Sequence, residues 1–255
     1  SQVADEVATK MIFPTTLPQD PEDLMIEQAV AREALRLAYE QHKQVAEGPP
    51  RGVGALERIT MSAEQVMKAE MGLEQKPWHK IDLLVGSGGV ISHAPKRSQA
   101  AMMMLDAFAP EGVVELVVDS VFMLPHLGVL STILPDVALQ VLVKDCLVRL
   151  GTAVCLTGAP AAGAGAVTVS GKSSEGRLVN TSVGWGEIRR VPLGPGERFE
   201  GRVTPSAHAD AGKGPGRPYD LSAAGGEVGL IIDARGRPVD FTRLGARALG
   251  GGLEC

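Results

Sequence analysis

The residues best spaced for chemistry lie at 82–90 (DLLVGSGGV). Three apolar residues, Leu83, Leu84 and Val85, predict a short strand, and Gly86, Ser87, Gly88 and Gly89 predict a tight turn leaving it. Glycines at such a turn let backbone N–H groups approach a ligand, because no Cβ stands between them. A helix following the turn would add its N-terminal dipole, and ligands of open α/β sheets sit at the carboxyl ends of strands, where this turn would lie. The run matches neither the phosphate loop G-x-x-x-x-G-K-[ST] nor the dinucleotide fingerprint G-x-G-x-x-G. From the residues alone, a ligand-binding turn and a plain strand-to-helix turn both remain open.

Other candidates are thinner. Ser1 could act as an N-terminal nucleophile whose own α-amine is the base, but the following residues, 2–6 (QVADE), have little strand character. His93 and His126 are of the residue type suited to acid–base work, yet no neighbouring Ser and Asp complete a triad, so a structural role is the simpler reading. Met102, Met103 and Met104 read as helix core. The loop 208–218 (HADAGKGPGRP) suits an anion or a partner, or is a flexible surface loop, and 233–238 (DARGRP) reads as a hairpin turn with solvated charges. The histidines, at 42, 79, 93, 126 and 208, show no local metal spacing, and the cysteines, at 146, 155 and 255, form no C-x-x-C pair. No metal site is assigned. Reduced structural thiols in a cytoplasmic protein are expected.

These residues need a scaffold, and the hydrophobic pattern supplies one. A helix is predicted over 21–45, with Asp20 as its cap, Pro21 in its first turn, Glu22 and Asp23 at the positive end of its dipole, and Ile26, Val30, Ala34 and Leu37 along one face. The glycine and prolines at 48–50 stop it. A second helix is predicted over 63–71, with a capping box from Ser62 and Gln65 and a staple from Met61 and Val66. Strands at 81–85, 113–118 and 152–156 then alternate with helices at 96–108 and 134–150, the last apolar nearly all round and so expected to be buried. Asp119 closes the second of these strands. This alternation predicts an α/β layer with a partly parallel, mixed sheet.

Beyond it the composition changes. The chain holds 31 Gly and 17 Pro, a surplus that collects in the second half. Short strands at 166–169, 187–193, 198–204 and 227–232 follow, separated by turn residues, and suggest a small β-barrel or sandwich. The expected division is an α/β lobe with N-terminal helices at 1–156, a Gly/Ala linker and first strand at 157–170, and a β-rich module at 171–255. From 171 onward 12 basic residues face 10 acidic, while the rest of the chain carries 13 against 20, so the two parts attract weakly. With 25 Lys and Arg against 30 Asp and Glu, the chain lacks the basic footprint of a nucleic-acid binder. No run is a credible membrane span.

Three ordered blocks carry a resemblance: 82–95 (DLLVGSGGVISHAP), 105–130 (LDAFAPEGVVELVVDSVFMLPHLGVL) and 225–241 (GGEVGLIIDARGRPVDF). Together they resemble the GlmL/MutL family, the accessory proteins of glutamate mutase and their relatives. The resemblance implies an actin-like ATPase lobe followed by a small β-rich module. It also implies ATP or ADP with Mg as cofactor, and ATP-dependent, chaperone-like reactivation of a partner that is an adenosylcobalamin-dependent mutase or aminomutase. Gly86, Ser87, Gly88 and Gly89 match the glycine turn that holds nucleotide in such folds, and Asp119, at the end of the neighbouring strand, would face the same cleft.

Such ATPases also need an Asp-x-Gly phosphate loop in a first lobe, and residues 1–80 contain none. The expectation is therefore that the chain, which starts at Ser1 without Met or leader, is a processed or partial polypeptide resembling the C-terminal part of a family member. The hydrolytic groups would then lie on an N-terminal counterpart, and the catalytic residues are unknown. A non-catalytic scaffold or partner-binding module is the alternative reading; an autoprocessed hydrolase using Ser1 is the remote one.

Overall fold

The computed structural model describes residues 2–13, 15–47, 81–158 and 164–239. The helix predicted at 63–71, its caps, Ser1, His79 and Cys255 lie outside them. The chain divides into two compact units, residues 1–79 and 80–255.

The first unit has two described helices, α1 (Gln2–Ile12) and α2 (Pro21–Glu47). α2 starts as its sequence dictates: the Asp20 carboxylate accepts the backbone N–H groups of Glu22 and Asp23 at 2.8 and 2.9 Å. Lys10 of α1 pairs with Glu27 of α2. The face traced by Val30, Ala34 and Leu37 is exposed, against expectation. The half-buried stripe runs instead through Leu24, Gln28, Ala31, Leu35 and Tyr39, whose spacing of three and four follows the helical repeat equally well.

The second unit is built on two sheets. The first has the order β1-β2-β3-β9-β6, from β1 (Leu83–Gly86), β2 (Gly112–Asp119), β3 (Leu147–Cys155), β6 (Ile188–Val191) and β9 (Gly229–Asp233). β1 runs parallel to β2 and β3 parallel to β9, while β2–β3 and β9–β6 are antiparallel, so the sheet is mixed as the sequence predicts. Helices α3 (Gly89–Ser92) and α4 (Arg97–Phe108) follow β1, and α5 (Leu124–Ser131) and α6 (Pro135–Val141) follow β2. The second sheet is antiparallel, ordered β5-β4-β7-β8, from β4 (Gly165–Ser173), β5 (Leu178–Gly184), β7 (Arg198–Pro205) and β8 (Tyr219–Ala224). Side chains of both sheets form one core, with Val154, Leu230 and Ile232 from the first meeting Val169, Phe199 and Val203 from the second, all fully buried. Each such burial stabilises the fold by about 1.5–3 kcal/mol. Gly151 of β3 has φ +144°, and a Cβ there would stand 1.9 Å from the Gly229 carbonyl oxygen; only glycine lets β3 and β9 approach this closely.

Several sequence expectations change in the second unit. The helix predicted over 134–150 is α6 and one π turn (Leu142–Cys146), and residues 147–150 already belong to β3. Its apolar side chains Val137, Leu139 and Val143 are exposed rather than buried, because one continuous apolar run spans both an outer helix and a core strand. Strands β5 and β8, whose polar alternation hid them, complete the second sheet. The composition boundary near 156 does not divide the contacts, since β6 and β9 from beyond it sit in the sheet of β1–β3.

Another change is at 233–238. Its charges are buried, not solvated. Arg235 grips Asp233 through Nε and Nη2 at 2.9 and 2.7 Å and reaches Asp106 of α4 with Nη1 at 2.7 Å. Arg237 donates to Asp233 at 2.8 Å and to the Pro110 carbonyl at 2.9 Å. Burial pushes the Asp233 carboxyl up, but the two guanidinium groups overwhelm that and hold it far below the usual carboxylate range. The loop 208–218 is also anchored. The Asp210 carboxylate accepts the N–H groups of Gly212 and Gly214, and Tyr219 donates its hydroxyl to the Ala211 carbonyl.

Candidate functional site

Because β1 and β2 are parallel neighbours in register, with Gly86 opposite Val118, the turns that leave them emerge at the same edge of the sheet. The first holds Ser87, Gly88 and Gly89; the second runs from Asp119 through Ser120, Val121 and Phe122. The topology thus brings together all five residues singled out from the sequence. Each has a distinct local role.

Gly86 is buried, and a Cβ there would press within 3 Å of Ile91 and Met104, so this glycine serves packing. Gly88 has φ +99°, a conformation that side chains disfavour, and turns the chain out of β1. At Gly88 and Gly89 a Cβ would meet nothing within 4 Å, so the space above the turn is open. The helix that follows, α3, is a single four-residue turn. It supplies little of the dipole the sequence suggested, since macrodipole effects need aligned peptides over several turns. What the turn offers a ligand is an unobstructed backbone.

Asp119 is fully buried beneath this turn. Its Oδ1 accepts the Met123 N–H at 3.1 Å, and its Oδ2 accepts the Leu124 N–H at 2.9 Å and the Ser87 hydroxyl at 3.2 Å. The Asp119 carbonyl accepts the Ser92 hydroxyl at 2.6 Å. Burial alone would raise its carboxyl; the N–H groups of Leu124, Met123 and Val121 and the Ser87 hydroxyl outweigh that and hold it below the ordinary range. Asp119 therefore braces the glycine turn against the second turn from below, rather than facing solvent as a ligand would. Its carboxylate clasps the second turn while Ser87 and Ser92 fasten the first to it.

His93 and His126 are exposed. Met103 and Met104 are core. Cys146 and Cys155 are buried and unpaired, and burial pushes the Cys155 thiol up to about 11. Among the described residues no group of three His, Cys, Asp or Glu is placed to hold a metal ion, and no helix is long and apolar enough to cross a membrane.

Sequence reasoning passed over Ser92, the second fastening, and Phe122, which carries φ +56° and is half exposed. Ser92 was legible as a hydroxyl one helical turn past the glycines. Nothing in the sequence signalled the backbone of Phe122.

Comparison with known proteins adds one finding. A family model described as MutL protein matches residues 1–146. It spans the blocks 82–95 and 105–130, includes the N-terminal helices, and stops short of the block 225–241. No curated protein and no solved structure matches the chain.

Proposed function

This chain belongs to the MutL protein family, and on that premise we propose that it is the C-terminal part of an ATP-dependent, chaperone-like reactivating protein for an adenosylcobalamin-dependent mutase or aminomutase. In this reading the α/β sheet of β1–β3 is one lobe of an actin-like ATPase. The observation that carries it is the open glycine turn at 86–89, at the carboxyl edge of a parallel strand pair and braced by a buried carboxylate. A Cβ at Gly88 or Gly89 would meet nothing within 4 Å, which supports the approach of a phosphate or ribose to the backbone there.

In this reading the residues of the chain bind and position. The backbone at Gly88 and Gly89 approaches the nucleotide, and Ser87 and Asp119 keep the turn from shifting when it is loaded. ATP with its magnesium ion, when bound, would supply the phosphoryl group whose hydrolysis drives change in the partner. Residues 1–80 carry no Asp-x-Gly phosphate loop, and in this reading the groups that hold the ion and position the attacking water belong to an N-terminal counterpart. A half-cleft binds nucleotide weakly until that counterpart closes it.

A scaffold reading has its own support. Val129, Ile133, Leu139 and Val143, on or beside α5 and α6, are all more than half exposed, an apolar run of the kind that partners cover. Calorimetry separates the two. The chain is titrated with ADP and ATP alone and with its N-terminal counterpart, beside a Gly89→Leu variant that fills the open space. Nucleotide heat that Gly89→Leu abolishes supports the ATPase reading. No heat in either mixture leaves the scaffold.

A further inference from the structure

We propose that Phe122 is an aromatic platform that stacks the base of a purine nucleotide held at the glycine turn. This rests on the nucleotide reading above and adds to it the residue that would recognise the base. Three observations converge on Phe122. It carries φ +56°, which for a bulky residue is an outlier that persists only when the surroundings over-determine it. Those surroundings are the residues on either side: the Asp119 carboxylate gathers the N–H groups of Val121, Met123 and Leu124, which flank Phe122. Its ring is half exposed, and among the described residues of the second unit it is the one exposed aromatic, since Trp185 and Phe199 are buried and Phe108 and Tyr219 partly so.

The same carboxylate that shapes the Phe122 loop also holds Ser87. One buried group therefore fixes both the turn suited to phosphate or ribose and the loop that presents a flat apolar ring at the same sheet edge. Val121 beside it is exposed as well, so two consecutive apolar side chains are open to solvent here. Every base has a π-face, and stacking on an aromatic side chain tolerates the base's identity. The platform is thus expected to favour nucleotide over bare phosphate while discriminating weakly between adenine and guanine.

The test uses the full chain with ADP, GDP and pyrophosphate as probes at millimolar concentration. The variants are Phe122→Gly, which suits the backbone and so keeps the fold, and Phe122→Tyr, which keeps a ring. Phe122→Gly is expected to weaken ADP and GDP about tenfold or more, leave pyrophosphate within about twofold, and be rescued by Phe122→Tyr. If the wild-type chain binds ADP and Phe122→Gly binds it equally well, the platform is refuted and the nucleotide reading stands. If wild type binds pyrophosphate but gains nothing from the base, the platform again fails alone. Equal losses for ADP and pyrophosphate would make Phe122 a support of the turn and overturn the platform. A changed oligomeric state with unchanged ADP affinity would make it a protein contact and overturn it too. A wild-type chain that binds none of the probes, either alone or with its N-terminal counterpart, refutes both.

Discussion

Replacing Asp119 with Asn tests whether one carboxylate braces the two turns. The substitution keeps the shape but turns one acceptor into an NH2 group facing backbone donors. In the wild-type protein the carboxylate accepts the N–H groups of Met123 and Leu124 and the Ser87 hydroxyl, all from a fully buried position. Hydrogen bonds to a charged partner are worth roughly 1.5–3 kcal/mol each, and a buried donor left unpaired costs roughly 1–3 kcal/mol. With one oxygen still able to accept, a net loss of about 2–4 kcal/mol follows, against about 1 kcal/mol for Ser87→Ala. The carboxyl of Asp119 is depressed in the fold, so its stabilisation is fully present above the unfolded value of about 3.9 and drains away as the pH falls through the lower folded value. The gap between wild type and Asp119→Asn should therefore be constant from pH 7 to 5 and narrow below about pH 4. Urea unfolding at several pH values reads this, with an unchanged slope showing that only stability moved. Hydrogen exchange at 87–90 and 120–124 should accelerate together. An Asp119→Asn protein within 0.5 kcal/mol of wild type at pH 7, or exchange that rises in one turn alone, would refute the brace.

Two further outcomes follow from the charges beneath β9. Arg235→Met leaves the buried carboxylates of Asp106 and Asp233 short of their shared partner, and should cost about 3–5 kcal/mol at pH 7 in urea unfolding. Acid should shrink that gap, because protonation relieves a buried carboxylate that has lost one of its cationic partners; a gap that stays constant down to pH 4.5 would argue against the network. Cys155 is fully buried with its thiol raised to about 11, so alkylation at pH 8 followed by peptide mapping should find it unmodified in the native protein and modified in urea.

The glycine turn was legible because its signal is local: an apolar strand, three glycines around a serine, and a polar residue closing the next strand. The mixed sheet was legible for the same reason, since β1, α4 and β2 each carry their own pattern. What escaped depends on distance. Arg235 and Asp106 are 129 residues apart, so nothing in the sequence at 233–238 distinguishes a buried charge network from a wet hairpin. The apolar run from 134 to 156 changes from helix to strand at 147 without a Gly or Pro to mark the change, and its outward face on α6 cannot be told from its inward face on β3 by hydropathy. The role of Asp119 was half legible. Its place beside the turn followed from strand order, but whether it faced solvent or the interior depended on the amides of the loop after it.

The position of β9 between β3 and β6 governs how this unit can be made. The chain leaves β3 at Cys155, builds the second sheet and β6, and returns to pair with β3 only at Gly229. During synthesis β3 must wait with one side unpaired until more than seventy further residues have emerged, since Gly229 opposite Gly151 opens the ladder. A nascent chain stalled or clipped inside that interval would present a bare, apolar strand to its neighbours on the polysome. Chains shortened before residue 229 should accumulate as aggregates, whereas additions within the intervening excursion fall outside the ladder that closes last.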